Sequence, residues 1–316
     1  MLEELKWKFI KLLSKPNINI KKNYKLVRIF ETIRHYSPLK SSNSIDYMCY
    51  YDNHNIEVRV YTPVNKKEDY TILFFHGGGF VAGDIDSYDE FCSTMCSKMG
   101  AYLVSVNYRL APEYPFPCGL EDCYFVYNTL INNPSFFGLT KQNIILLGDS
   151  AGGNLCASLS LLLRDKKQKL PFAQILLYPC LNYDYSINSP FSSVKENGKD
   201  YILTSTHMEE YISLYIRELS DLKSPYLAPL NTKKYRKQPC TFIITAEFDP
   251  LRNEAEEYGK RLKKARNKVC IHRVFNVCHG FFVDNPSSTE SEEIILLIKQ
   301  FLGSDNFEKN KLDEIR

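Results

Sequence analysis

Residues 143–152 read NIILLGDSAG. An apolar run is followed by Gly-x-Ser-x-Gly and then by small and apolar residues at helical spacing. The pattern predicts a strand over 143–147 and a helix over 152–163, with Ser150 on the sharp turn between them. Such a turn is crowded, and glycine two places to either side, here Gly148 and Gly152, tolerates the crowding. It exposes a serine hydroxyl at a helix N-terminus, where the N–H of Ala151 faces the same point. Ser150 is therefore a candidate nucleophile.

A serine hydroxyl at its ordinary pKa is a weak nucleophile and needs a base. In proteins built around this turn the chain order is serine, then acid, then histidine. After Ser150 the histidines are His207, His272 and His279. His207 falls in a long irregular stretch and His272 inside a predicted strand over 269–275. His279 follows that strand in VCHGFF, at the sheet edge where Ser150 also sits, and is the expected base. The acid should follow the preceding strand, in FIITAEFDPLRNE. Of Glu247, Asp249 and Glu254, Asp249 stands in a turn held by Pro250 just before a helix. It is the expected partner of the second imidazole nitrogen. Glu254 is expected on the first turn of that helix, where a carboxylate complements the dipole.

Residues 74–83, FFHGGGFVAG, place His76 and three glycines straight after an apolar strand. Three glycines cost stability, because each loses more backbone freedom on folding than other residues. They are explained if Ser150 attacks an acyl carbonyl, since the charge developing on oxygen needs preorganised donors. The expected donors are the N–H groups of Gly77, Gly78 and Ala151. His76 and Arg109 are expected to support the loop and the neighbouring turn.

Around these motifs strands and helices alternate from residue 70 onward. Apolar runs at 71–75, 101–106, 143–147, 172–178, 241–245 and 269–275 read as buried strands. Helical spacing recurs at 88–99, 120–131, 152–163, 251–265 and 291–301. Continuous apolar strands with intervening helices predict an α/β fold, a mostly parallel central sheet covered on both faces. Alternation in 45–51 and 56–61 suits an antiparallel edge pair. Two stretches break the rhythm: residues 1–40, and 181–225, which is rich in Tyr, Ser, Asn and Pro with one predicted helix at 207–217. Both are read as a cap over the C-terminal edge of a core spanning 41–316. Leu2, Leu5, Phe9, Leu12 and Leu13 form an apolar stripe at the start of that cap, and the charged tail 303–316 is expected to fray.

Composition excludes several classes. Forty basic and 37 acidic residues leave a net charge of +3 in 316 residues, with no long block of either sign. That offers nothing for nucleic acid or an anionic membrane. No 18-residue apolar stretch spans a membrane, and charges at Glu3, Glu4, Lys6, Lys8 and Lys11 argue against a signal peptide. Ten scattered cysteines form neither a disulfide framework nor a zinc set. Reduced thiols, and hence a cytoplasmic location, are expected.

Taken together, HGGGF, NYRLAPE followed by YPFP, GDSAGGN, DPLRNE and HGF resemble the hormone-sensitive-lipase-like group of α/β-hydrolase esterases, in register from about 71 to 282. The resemblance implies an α/β-hydrolase fold with a helical cap, a Ser150–Asp249–His279 triad and oxyanion donors at Gly77, Gly78 and Ala151. It also implies a short-to-medium acyl preference, no metal or organic cofactor, and a homodimer through the last strand's edge. The group commonly reads DPLRDE; Asn253 stands here in place of that aspartate. The expected activity is a serine carboxylesterase acting on a small acyl ester. An acetylated sugar, a lactone or an aryl amide is the alternative substrate, with Tyr183, Tyr185, Tyr201, Tyr211 and Tyr215 of the insertion as stacking candidates. A non-catalytic ligand receptor is a further alternative, disfavoured because His279 is present.

Overall fold

The apolar runs pair into a single sheet whose C-terminal edge carries every motif named above. In the computed structural model, which describes residues 19–34, 40–140 and 143–303, eight strands form that sheet. They are β1 (Ser44–Tyr51), β2 (His54–Tyr61), β3 (Tyr70–Phe75), β4 (Tyr102–Asn107), β5 (Asn143–Asp149), β6 (Ala173–Leu177), β7 (Cys240–Phe248) and β8 (Val269–Cys278). Their spatial order is β1-β2-β4-β3-β5-β6-β7-β8. Only β2 runs against its neighbours, pairing antiparallel with both β1 and β4. The other pairings are parallel.

Helices cover both faces because the strands are apolar on both. In β3, Leu73 and Phe75 face one core with β5's Leu146. Ile72 and Phe74 face the other, with Ile145 and Leu147. The first core is closed by helices Cys118–Asn132 and Ala151–Asp165, and by Arg252–Lys264, which contributes Ala255, Tyr258 and Leu262. The second is closed by Asp89–Met99, through Phe91 and Met95, and by Thr289–Gly303, through Ile294, Ile298 and Phe301. The predicted strands and helices are all present, with ends displaced by a few residues. Two strands run on past their apolar stretches, β7 to Phe248 and β8 to Cys278.

Helix α1 (Ile20–Arg34) lies against a helix within the 181–225 insertion, Ser205–Tyr215. In chain order the remaining helices are α2 (Asp89–Met99), α3 (Cys118–Asn132), α4 (Ala151–Asp165), α5 (Ser192–Asn197), α6 (Ser205–Tyr215), α7 (Arg252–Lys264), α8 (Phe281–Asp284) and α9 (Thr289–Gly303). The N–H of Ile20 at the start of α1 donates to Glu210 on α6 at 2.7 Å. Arg28 on α1 donates to the carbonyls of Val81 and Ala111, at 2.7 and 2.8 Å, and forks onto Glu113. The apolar stripe of residues 2–13 and the tail beyond 303 lie outside the described residues. All ten cysteines are free thiols.

Candidate active site

The site begins with register. Phe75, the last residue of β3, pairs with Gly148 of β5, and Asp149 pairs with Leu177 of β6. The HGGG loop and the GDSAG turn therefore leave the sheet side by side. Ser150 has φ 52° and ψ −116°, a left-handed conformation that a non-glycine residue adopts at a cost. Its N–H donates to Leu177 at 2.9 Å, and its carbonyl accepts from Asn154 and Cys180. The flanking glycines are steric necessities. A Cβ on Gly152 would run into the carbonyl of Phe75, and one on Gly148 into the backbone of Gly152.

The chain brings His279, directly after β8, to Ser150. Its Nε2 is 2.9 Å from Ser150 Oγ, and its Nδ1 is 2.7 Å from Asp249 Oδ2. Asp249 is fully buried, and its other oxygen accepts the N–H of Leu251 at 2.8 Å. Burial alone would push the His279 pKa down. The charge and hydrogen bond of Asp249, helped by Asp149 and Asp284, outweigh it and hold the imidazole above its ordinary value. The Tyr178 ring packs edge-to-face with the imidazole, their centroids 4.9 Å apart. The other two histidines are elsewhere: His272 lies within β8 opposite Ile244, and His207 lines the cavity from α6.

The turn bearing Asp249 is gripped from α5, a helix that sequence periodicity did not reveal. Asn197 donates to the carbonyls of Glu247 and Asp249, and Ser193 to that of Pro250. Asn253, at the departure from the group's pattern, donates to Ser192 at 3.0 Å. Glu247 accepts the N–H of Asn276. Glu254 sits on the first turn of α7 as expected, but its carboxyl is enclosed in the fold. It is fully buried and accepts from the N–H groups of Leu181 and Asn182 and from Tyr185 on one oxygen, at 2.7, 3.1 and 3.0 Å. Burial raises its pKa to about 8.

The glycine loop differs from expectation in one donor. The N–H of Gly77 is turned away from Ser150 and donates to the Tyr88 hydroxyl at 3.1 Å. Gly78 and Gly79 line the cavity with Ser150 and Ala151. Gly78 has φ +98°, and a Cβ there would strike the carbonyl of Ala82. Of the three glycines, Gly78 and Gly79 are thus the two at the cavity, and the N–H of Gly77 is held by Tyr88. The reason is a buried acceptor invisible to motif reading: Tyr88 in turn donates to Asp149 Oδ2 at 3.1 Å. Burial raises the Asp149 pKa to about 7, against the pull of His279 and Tyr88. His76 and Arg109 have the supporting positions expected. His76 is buried and stacked on Tyr108 at 4.2 Å, and Arg109 forks onto Asp122.

Above Ser150 opens a cavity of about 760 Å³. Its walls are largely apolar, with Ile20, Val27, Phe80, Met208 and Ile212 drawn from the loop and from α1 and α6. Among the tyrosines proposed to stack on a ring, only Tyr211 lines it. Tyr185 is buried on Glu254, Tyr215 is buried and stacked on Phe80, and Tyr201 stacks on Phe248. Among the described residues, no group of three His, Cys, Asp or Glu side chains is arranged to hold a metal ion. No helix among them is long and apolar enough to cross a membrane.

The model of the alpha/beta hydrolase fold family matches residues 72–283. The chain belongs to the α/β-hydrolase family. Within it, the relatives place it in the hormone-sensitive-lipase-like esterase group. This hydrolase is 32% identical over 252 residues to an arylesterase of Saccharolobus solfataricus, covering 79% of this chain and 80% of the relative. It is also 32% identical over 258 residues to the carboxylic ester hydrolase LipN of Mycobacterium tuberculosis, covering 78% and 68% of the two chains. The solved structure of a hyperthermophilic esterase from Pyrobaculum calidifontis superposes on the hydrolase with a TM-score of 0.80. That pair is 30% identical, with 95% and 97% of the two chains covered.

Proposed function

We propose that this hydrolase is a serine carboxylesterase that cleaves small acyl esters through an acyl-enzyme, with Ser150, His279 and Asp249 as its triad. The reading rests above all on the continuous hydrogen-bonded relay from Ser150 Oγ through His279 to Asp249 at the floor of an apolar cavity.

Ser150 Oγ attacks the ester carbonyl while His279 Nε2 takes the hydroxyl proton. The carbonyl oxygen becomes an oxyanion, met by the N–H groups of Gly78, Gly79 and Ala151. Collapse of this intermediate breaks the ester C–O bond, and the proton on Nε2 passes to the leaving alcohol. Water then repeats the sequence: it gives a proton to Nε2, its oxygen bonds the acyl carbon, and Ser150 leaves with that proton as the acid is released. Asp249 holds the tautomer with hydrogen on Nδ1 and stabilises the imidazolium. Of the described residues, α1 and 181–225 form the cap that shapes the acyl cavity, the sheet and its helices being the catalytic core. The free thiols fit a cytoplasmic location, and β8 at the sheet edge is where a second copy would pair.

Hydrolysis of p-nitrophenyl acetate, butyrate, octanoate and palmitate, beside Ser150→Ala, tests the reading. Turnover highest on the short esters and abolished in the variant is expected. Full activity in a folded Ser150→Ala would sink the mechanism, and a maximum at palmitate would replace the enclosed cavity with a lipid-accessible one.

A further inference from the structure

A loop of three glycines has no side chains with which to hold its own peptide planes. Tyr88, which precedes α2, supplies a hold from outside. Its hydroxyl takes the N–H of Gly77 at 3.1 Å and donates to Asp149 Oδ2 at 3.1 Å. Gly77 immediately precedes Gly78, and Asp149 immediately precedes Ser150. One phenol oxygen therefore ties together the two backbone segments that meet at the reacting carbonyl.

The surroundings leave this tie little freedom. The Tyr88 ring packs on Phe74 and Phe91, with centroids 5.6 and 6.5 Å away, and lies 5.5 Å from His76. The Asp149 carboxyl lies so close under the loop that a Cβ on Gly77 would collide with its Oδ2. On the far side the loop is closed by its own turn, where Val81 and Ala82 donate to the carbonyl of Gly78. It is also anchored where Tyr108 donates to the carbonyl of His76 at 2.7 Å.

We propose that Tyr88 and Asp149 are positioning residues that act through Gly77 to hold the N–H groups of Gly78 and Gly79 in place for the oxyanion, without touching the reacting atoms. This rests on the esterase reading of the site. The physical requirement is preorganisation: donors aimed in advance stabilise developing charge without reorganising as it forms, and a displacement of about 1 Å costs on the order of a hundredfold in rate. Asp149 and Tyr88 are needed because glycine supplies close approach to the substrate but no rigidity.

Tyr88→Phe keeps the ring and removes the tie. We expect its kcat on p-nitrophenyl acetate to fall about 10- to 100-fold while KM stays within about twofold. The inhibition constant of a trifluoromethyl ketone, which forms a tetrahedral oxyanion on serine, should rise by a similar factor. Asp149→Ala should match Tyr88→Phe, and the double variant should be no worse than either single one, because both remove the same tie. Asp149→Asn keeps an oxygen for Tyr88 and should recover most of the loss. An unchanged kcat, a loss carried by KM alone, additive losses in the double variant, or equal behaviour of Asp149→Asn and Asp149→Ala would each overturn the proposal. If Tyr88→Phe loses the near-ultraviolet circular dichroism of the wild type, the Asp149 pair decides alone. A wild type inactive on every ester brings down the esterase reading and this inference together. An active wild type with an unaffected Tyr88→Phe brings down this inference only.

Discussion

His279 Nε2 stands 2.9 Å from Ser150 Oγ although 129 residues separate them in the chain. The contact exists because β5 and β8, with two strands between them in the sheet, both release the chain at the same edge. The geometry is complete before any substrate arrives, so its members should respond to substitution as one unit.

Replacing Asp249 by asparagine preserves volume but offers an N–H to Nδ1. That favours the imidazole tautomer with hydrogen on Nε2, which cannot take the serine proton. On the proposed mechanism kcat for p-nitrophenyl acetate should drop by roughly 10³- to 10⁴-fold with the fold intact. A decrease smaller than about tenfold in steady-state kinetics would remove Asp249 from the triad.

The pH profile should carry the signature of His279. The base must be neutral, so kcat/KM is lost as pH falls through its pKa in the free enzyme. Asp249 raises that pKa above 6.5 despite burial, so the acid limb should have its midpoint above 6.5. A midpoint at or below that value in a pH–rate series would count against the ion pair with Asp249.

Arg28 on α1 reaches both the glycine-loop segment, at the carbonyl of Val81, and the turn at Ala111. Arg28→Ala leaves those hydrogen bonds unmade and should loosen α1 over the cavity. We expect faster cleavage within α1 in limited proteolysis, and a Tm lower by about 2–4 °C for each kcal/mol lost. Unaltered proteolysis would show that apolar packing alone holds the helix.

Glu254 should make stability depend on pH. A carboxyl whose folded pKa is raised from 4.5 to about 8 binds more protons folded than unfolded between those values. Stability is then fully present below about pH 4.5 and falls as pH climbs towards 8. Glu254→Gln keeps an oxygen for Leu181, Asn182 and Tyr185 but cannot ionise. Its advantage over the wild type should grow between pH 5 and pH 8 by on the order of 1–3 kcal/mol. Parallel stability curves in urea titrations at the two pH values would contradict a buried neutral carboxyl.

Ser150 was legible in the chain because the elbow is a local device. Strand, glycine, serine, glycine and helix follow one another within a dozen residues, and each obeys a short-range steric rule. Strand and helix placement was legible for the same reason, since burial on both faces of a parallel sheet leaves uninterrupted apolar runs at 71–75, 143–147 and 241–245. The order serine, acid, histidine then singled out Asp249 and His279 from neighbours of the same residue types.

Other features depended on which segments the fold brings together. Nothing within the sequence around Gly77 says that its N–H is claimed by Tyr88, eleven residues on. Nothing around Glu254 says that it is buried beneath Leu181, more than seventy residues earlier. The short helix α5 has too few turns for a periodic signal, and its grip on the Asp249 turn is made entirely across the fold. By itself the sequence determined the elbow, the sheet and the candidate nucleophile, base and acid, because near-neighbour sterics and hydrophobic periodicity encode them. Only the tertiary structure decided that Tyr88 takes the N–H of Gly77 and how α1 and α6 enclose the cavity. Hydrogen-bond direction and cavity shape arise from contacts between residues far apart in the chain, which no local pattern records.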